Sequence, residues 1–306
     1  MHSDSVIFSS DFLRTHNDIR MLTRQVSSGA LVKLRRGAYI PAAVWADADA
    51  REQHLVRIAA TLRGTRSDFA VAGMSAAAVW GMPVFAWPDS VTLLDEWKGG
   101  GRSEPGVRRT AAGFASATTV RVNGVLTTDL ARTALDVARQ NSFRDSIGSV
   151  DWALRVIGEH AIDKAALLSE LRSLPTPLGV RYLERVIEFC CEQSDSFGES
   201  MARACIFELG FVMPDLQVRF RDRQGEMFTD FGWRSLNIVG EFDGKAKYTR
   251  NEYTKGDPGE VVWREKLRED RLRALDLTVV RIIWPDLMRP PLLARKLVDA
   301  GVPRVR

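Results

Sequence analysis

The apolar positions near the N-terminus predict two short helices followed by a hairpin. Ser9 or Ser10 can cap the first helix, His16-Asn17 forms a turn, and the second helix ends before Gly29. The segment Leu31–Pro41 then alternates apolar and basic residues around Gly37, as a two-stranded wing does. The pattern therefore predicts a winged helix-turn-helix over residues 1–45.

The middle of the chain mixes helical and strand patterns. Helices are predicted over 46–63, Asp129–Arg139 and 146–158, and strands over Val91–Leu94, Val107–Thr110 and Thr119–Val122. A short helix over 162–171 is followed by Leu174-Pro-Thr-Pro-Leu-Gly179, which breaks the pattern. We therefore expect a small α/β region over 46–160 and a helical linker over 161–193, with the domain boundary between about Gly158 and Gln193.

After Ser196 the pattern becomes that of a second α/β domain, over 194–306. A helix over 198–209 precedes two strands, 217–221 and Met227–Trp233, which form a hairpin around Arg223-Gln-Gly225. A strand over 236–245, a long helix over 257–275 and a buried strand over 277–284 complete the order. The expected fold class for the whole chain is mixed α/β, and a mixed sheet flanked by helices is expected in this last domain.

The composition agrees with a folded protein of two or three domains. The 306 residues exceed one small domain, and 45% hydrophobic with 27% charged residues are ordinary globular values. We find neither a membrane-spanning apolar run nor a signal peptide pattern, so a cytoplasmic protein with no membrane partner is expected. The three cysteines form no CxxC pair, which argues against a thiolate zinc site.

The excess positive charge is concentrated near the N-terminus. The net charge is +4, and residues 1–40 hold six basic and three acidic residues, a local balance of 6 − 3 = +3. Arg20 and Arg24 share one face of the second helix, and Lys33, Arg35 and Arg36 lie on the wing. These five residues are the predicted contacts to double-stranded DNA. The alternative is that they are solvated surface cations.

Acidic residues cluster on the predicted strands of the last domain. Glu241, Asp243 and Lys245 point to the same side of their strand, and Asp230 lies beside Glu241 if the two strands pair. Three carboxylates this close favour a bound cation, and oxygen-only ligands favour Mg²⁺ or Mn²⁺. We therefore predict a metal held by Asp230, Glu241 and Asp243, with Lys245 orienting water or neutralising a developing oxyanion. Glu199 could add a fourth carboxylate.

Two arginines of the long helix, Arg264 and Arg271, are two turns apart and share one face. They would clamp phosphates or hold the carboxylates in place. The alternative is a site without metal, in which Glu241 and Asp243 form an exposed strand face that is salt-bridged to these arginines.

The last domain resembles a known nuclease family. The resemblance rests on Asp230-Phe-Gly-Trp233, Val239-Gly-Glu-Phe-Asp-Gly-Lys245, the segment from Arg264 to Arg271, and the segment from Val279 to Leu287. These pieces resemble the bacterial domain family related to very-short-patch-repair endonucleases, in the PD-(D/E)XK superfamily. The resemblance implies a restriction-endonuclease-like fold and a metal-dependent endonuclease, with Asp230 and Glu241 as the motif acids and Glu199 as the helix glutamate.

The chain departs from that motif at one position. The superfamily places lysine two residues after the second acid, where this chain has Asp243, so either Lys245 takes that role or the register is Asp243-Gly-Lys245. The histidines are His2, His16, His54 and His160, so this domain has no histidine that could act as general base.

Residues 1–140 resemble the winged-helix module of type IV antitoxins of the AbiE kind. The resemblance rests on Ser10-Asp-Phe-Leu13, the wing, Ser75-Ala-Ala-Ala-Val-Trp-Gly81 and the segment from Thr127 to Asp136. It implies a transcriptional autoregulator. A separate possibility is the DNA-sensing part of a phage-defence or toxin system that needs another protein, such as a cognate toxin or a defence-system protein. Two hypotheses follow: a DNA-binding, Mg²⁺-dependent endonuclease, and a non-catalytic antitoxin-like repressor that uses the nuclease-like fold to bind DNA or a partner.

Overall fold

The structure is a computed structural model that describes residues 2–14, 19–64, 69–95, 104–111, 114–174, 179–244 and 258–305. Within these ranges, the side chains of residues 2–3, 12–14, 19, 114 and 258–265 are not described. The chain divides into two compact units. The first comprises 1–141 and 156–188, and the second comprises 142–155 and 189–306. Both contain helices and sheets, which confirms the mixed α/β class.

The first unit begins with a small helical and three-stranded part. Its strand order is β1-β3-β2, and a turn at Gly37, with φ of 78°, joins the last two strands. Leu22 of the second helix is fully buried against Leu31 and Tyr39 of the hairpin, so the apolar face of the helix fixes it to the sheet. The predicted order of two helices and a hairpin is confirmed. The elements are β1 (Ile7–Phe8), α1 (Ser9–Arg14), α2 (Ile19–Ser27), β2 (Leu31–Arg35) and β3 (Ala38–Pro41).

The rest of the first unit is a five-stranded sheet with helices, in strand order β6-β5-β4-β8-β7. Val71 and Leu93 of the sheet pack with Ile58 and Ala78 of two helices in one buried cluster. The strands are β4 (Ala70–Val71), β5 (Val91–Leu94), β6 (Val107–Thr110), β7 (Thr119–Val122) and β8 (Val125–Thr128). The helices are α3 (Ala42–Asp47), α4 (Ala50–Arg63), α5 (Gly73–Trp80), α6 (Leu130–Gln140), α8 (Lys164–Ser173) and α9 (Val180–Phe189). The intervening helix α7 (Phe143–Leu154) belongs to the second unit.

The second unit is built on a four-stranded mixed sheet in the order β12-β11-β10-β9. β9 and β10 form the predicted hairpin, β10 pairs antiparallel with β11, and β11 pairs parallel with β12. The predicted sequence of one helix, three strands, a helix and a strand is confirmed. The elements are α10 (Phe197–Glu208), β9 (Asp215–Asp222), β10 (Gly225–Trp233), β11 (Ile238–Asp243), α11 (Pro258–Arg273), β12 (Thr278–Ile283), α12 (Trp284–Met288) and α13 (Pro290–Ala300).

The chain passes from the first unit to the second at residues 188 and 189, within the predicted boundary region between about Gly158 and Gln193, but an earlier segment, 142–155, also belongs to the second unit. α7 lies in the second unit, whereas α8 and most of α9 lie in the first. The segment 161–193, which we expected to be a linker, thus contributes two helices to the first unit. Among the described helices, none combines the length and the apolar character that a membrane span requires.

Two apolar clusters cover opposite faces of the mixed sheet. On β11, Ile238 belongs to the cluster that contains α10, whereas its neighbour Val239 packs with Leu272 of α11. Because adjacent strand residues point to opposite faces, α10 and α11 lie on the two sides of the sheet. Asp230 and Glu241 lie on two neighbouring strands of this sheet, β10 and β11.

Candidate functional site

The β9–β10 hairpin changes face next to Asp230. Met227 and Phe231 of β10 are four residues apart and would share a face in a regular strand. Met227 instead packs on the α11 side with Val239, and Phe231 packs on the α10 side with Ile238. The partner strand has Gln217 in the left-handed region, with φ of 48°. This irregularity places the Asp230 carboxylate beside β11 rather than in either apolar layer.

Asp230 and Glu241 lie on neighbouring strands, as the sequence predicted. The β10–β11 register pairs Phe231 with Gly240, which sets Asp230 next to Glu241 across the ladder. An Asp230 carboxylate oxygen accepts a hydrogen bond of 2.7 Å from the backbone N–H of Phe242. The side chain thus takes the place of a ladder carbonyl and is held at the strand.

Glu199 reaches the same region from α10. Ser196 caps this helix by accepting from the N–H of Glu199 at 3.1 Å, and one Glu199 carboxylate oxygen accepts from the N–H of Asp195 at 2.9 Å. That oxygen also accepts from the Gln217 side-chain amide at 3.1 Å. Glu199 is buried, so its charge acts at close range in a low-dielectric environment.

Burial and two neighbouring acids raise the pKa of Asp230 to about 7. Burial is the largest cause, followed by the negative charge of Glu199; Glu241 adds to the effect. The Phe242 N–H and the Arg268 guanidinium oppose it. A carboxyl pKa raised this far is characteristic of a buried group that has like charges nearby.

Arginines balance the carboxylates of β11. Arg268 of α11 forms an ion pair of 2.8 Å with the buried Glu241 and also donates to the backbone carbonyl of Phe228. Asp243 pairs at 3.1 Å with Arg281 of β12, which also pairs with Glu269 at 3.0 Å. Glu241 and Asp243 therefore have different cationic partners.

The donor set fits a divalent cation only in part. Oxygen ligands from one or two carboxylates, completed by water and substrate phosphate, are the usual protein share of a Mg²⁺ site, and Asp230 with Glu241 can supply that share. Within the described part of the chain, however, no three His, Cys, Asp or Glu side chains are arranged to hold a metal. The predicted third ligand, Asp243, is held by Arg281 instead.

The other predicted residues have separate outcomes. Lys245 lies outside the described residues, as does the side chain of Arg264. Arg271 binds both carboxylate oxygens of Asp222 at 2.6 and 2.7 Å, and these hydrogen bonds are the largest cause lowering the pKa of Asp222 to about 2. Arg271 is therefore engaged at the hairpin turn and not at the carboxylates of β11.

The sequence reasoning missed Arg268, Arg281 and Gln217. Arg281 is the one charged residue in the strand Thr278–Ile283, and the parallel register sets it opposite Glu241, so its position was a readable signal. Arg268 lies one helical turn before Leu272, the residue of α11 that is buried against the sheet. Gln217 gave no signal, because its role depends on a backbone irregularity.

The close approach of α10 to β11 requires a glycine at position 198. A Cβ at Gly198 would stand 2.0 Å from a ring carbon of Phe242. We expect Gly198→Ala to lower the free energy of unfolding by about 1–3 kcal/mol, because the Phe242 ring must move from its edge-on contact with Trp284. Denaturant unfolding measures this change. The matched control is Gly244→Ala, whose Cβ would meet the same ring at an ordinary 3.6 Å; equal losses in both variants would contradict the prediction.

The predicted DNA contacts differ in their availability. Arg20, Arg24, Lys33 and Arg36 are exposed on α2 and the hairpin. Arg35 is instead largely buried: its guanidinium donates to the backbone carbonyl of Thr61 at 3.2 Å and pairs with Glu104. Arg35 therefore holds the hairpin to α4, and its guanidinium is engaged by the Thr61 carbonyl and the Glu104 carboxylate.

Comparisons with known proteins give relatives but no assigned family. No family model matches the chain. It is 28% identical over 274 residues to the uncharacterized proteins MT2308 and Rv2248 of two Mycobacterium tuberculosis strains, covering 89% of this chain and 92% of each relative. Among solved structures it is similar to the RV2827C protein of Mycobacterium tuberculosis, with 15% identity and a TM-score of 0.37 over 71% of this chain and 83% of that one. The similarity to MT2308 and Rv2248 thus extends over most of the chain.

Proposed function

We propose that the protein binds double-stranded DNA through the first unit and hydrolyses phosphodiester bonds at the carboxylate site of the second, with Mg²⁺ or Mn²⁺. The observation that carries the proposal is the placement of Asp230 next to Glu241 on paired strands, with the buried Glu199 near enough to add to the raised pKa of Asp230. A concentration of negative charge on strands is relieved by a cation, and such perturbed groups are frequent at functional sites.

Asp230 and Glu241 are the residues that would hold the cation. A bound Mg²⁺ supplies charge stabilisation at a phosphate and lowers the pKa of water. Glu199 keeps Asp230 basic, and Gln217 orients Glu199 by its amide. Arg268, which is more exposed than the Glu241 it contacts, can exchange that carboxylate for a substrate phosphate.

Plasmid cleavage tests the enzymatic part. We expect nicking of supercoiled plasmid with Mg²⁺ or Mn²⁺, and a loss of about 100-fold or more in rate for Asp230→Asn and Glu241→Gln, since each removes a negative charge without removing volume. Asp215→Asn is the matched control, because Asp215 is an exposed carboxylate on β9. Equal cutting by the wild type and the two site variants would refute the proposal.

A non-catalytic repressor is the second candidate. The observation that favours it is that Glu241 and Asp243 each have an arginine partner, so the site is neutralised without a metal. In that case no variant and no wild-type preparation nicks plasmid with either ion, whereas footprinting shows a protected operator. A cognate toxin or defence protein would then be the partner to seek by co-purification.

The proposed DNA binding predicts an affinity for duplex DNA that falls as the salt concentration rises. We expect Arg24→Ala and Arg36→Ala each to weaken binding to duplex DNA several-fold and to reduce the slope of log affinity against log salt by about 1, because one phosphate contact is lost. Fluorescence anisotropy at several salt concentrations measures both quantities. Arg172→Ala, at an exposed arginine on α8 of the same unit, is the control; a similar loss there would mean that general charge, not the helix and hairpin, governs binding.

A further inference from the structure

A small cavity of about 110 Å³ lies in the first unit, where α5 and α6 meet β5 and β6. Three arginines and two threonines line most of it: Arg108, Arg132, Arg139, Thr92 and Thr110. The cavity volume is several times the roughly 30 Å³ that a water molecule occupies in the liquid. It can therefore hold a small tetrahedral anion. It is smaller than the pockets that enclose drug-sized ligands.

Regular elements bring these side chains together. On α6, Arg132, Asp136 and Arg139 are spaced by four and three residues and share one face. On the sheet, Thr92 of β5 pairs with Arg108 of β6, and Thr110 follows two residues later on the same face. A helix face and a sheet face therefore point into one small volume.

The cavity has more positive charge than its acids neutralise. Asp136, the acid that lines it, forms an ion pair of 3.0 Å with Arg132. Arg132 also forms a longer ion pair of 3.7 Å with Glu170. Arg139 has its Nε and Nη2 buried, and among the described residues these atoms have no hydrogen-bond partner. Buried guanidinium nitrogens without acceptors are costly, and such groups call for a missing acceptor.

We propose that this cavity binds a phosphate group, either free or as a phosphate monoester of a small molecule. Two planar guanidinium groups, Arg108 and Arg139, can each present a pair of N–H donors to a tetrahedral anion, which is the geometry that favours arginine in phosphate sites. The Thr92 hydroxyl, on the same face of the sheet as Arg108, can donate to a remaining oxygen. The site is separate from the carboxylate site and from the exposed cations of α2.

Calorimetric titration and thermal unfolding of the full chain test the proposal. In phosphate-free buffer, we expect inorganic phosphate or adenosine monophosphate to bind and to raise the melting temperature. Arg139→Gln and Arg108→Gln should each weaken that binding about 10-fold or more. In the absence of anion, Arg139→Gln should melt at the wild-type temperature or higher, because it removes unpaired buried nitrogens; a purely structural arginine would give a lower melting temperature.

Arg109→Gln is the matched control, because Arg109 is the next residue of β6 and is paired at 2.8 Å with Asp95; it should keep the anion affinity. Tighter binding of adenosine monophosphate than of phosphate would identify a phosphate monoester as the ligand, and equal or weaker binding would identify the free ion. The proposal is overturned if neither anion binds at millimolar concentration, or if Arg139→Gln and Arg108→Gln both bind the anions as tightly as the wild type does. It is also overturned if duplex DNA raises the melting temperature and neither anion does.

Discussion

Replacing Arg203 with alanine is expected to lower the free energy of unfolding of the second unit by about 3–5 kcal/mol. Arg203 of α10 pairs at 2.9 Å with Asp151 of α7, and their side chains are 8% and 0% exposed. The guanidinium also donates to the Phe189 carbonyl at 2.9 Å and lies 4.3 Å from the centre of the Phe189 ring. Removing it leaves the Asp151 carboxylate buried without a cation.

The single loss is large because the remaining charge has no access to water. Burial already raises the pKa of Asp151 in spite of Arg203 and of the Cys191 N–H that donates to it. The double variant Arg203→Met with Asp151→Asn should recover much of the loss, since it leaves no buried charge. Arg219→Ala, which breaks an exposed pair with Glu226, should change stability by less than about 1 kcal/mol. Chemical denaturation measures all three variants, and a loss below that level for Arg203→Ala would contradict the prediction.

Replacing Asp230 with asparagine is expected to stabilise the protein at pH 8, by roughly 2–4 kcal/mol. The folded pKa of Asp230 is raised from 3.8 to about 7. The acid therefore weakens the fold when ionised: its effect is absent below pH 4, where the folded and unfolded states are both protonated. It grows as pH rises to 7 and is complete above that. Asparagine keeps the acceptor for the Phe242 N–H and carries no charge at any pH.

Unfolding curves at pH 4.5 and pH 8 for Asp230→Asn and the wild type give the pH dependence directly. The stability difference should widen between these values, and Asp215→Asn should show no such change. If the carboxylate site binds Mg²⁺, the ion should narrow the difference at pH 8 by stabilising the wild type alone. A difference that is the same at both pH values would show that Asp230 does not titrate in this window.

The local sequence pattern was sufficient to predict the elements of the second unit and the proximity of Asp230 to Glu241. Strand periodicity predicts the two strands, and the short connection at Arg234-Ser235 predicts that they pair, which places the two acids side by side. Which arginine reaches Glu241 was not predictable, because the rotation of α11 depends on Leu272 packing with Met227 and Val239. The sequence spacing favoured Arg264 and Arg271 as partners of the carboxylates, whereas the packing of α11 places Arg268 against Glu241.

The assignment of α7 to the second unit could not be predicted for a related reason. The pattern of its residues is that of an ordinary amphipathic helix. That pattern does not indicate which unit the helix packs in. The contact of Gly148 with the Phe197 ring, where a Cβ would stand 2.5 Å away, joins two helices distant in sequence. Arg132, fully buried on α6, likewise shows no sequence signal that separates it from a surface arginine.

The passage of α7 into the second unit has a consequence for synthesis on the ribosome. α7 emerges before α8 and α9, which complete the first unit, and well before α10, which covers α7 through Asp151 and Arg203. The buried face of α7 therefore stays uncovered in the nascent chain until α10 has been synthesised. Chaperone binding to nascent chains that end between 155 and 196 would report this interval, and no single cut of the chain yields either unit whole.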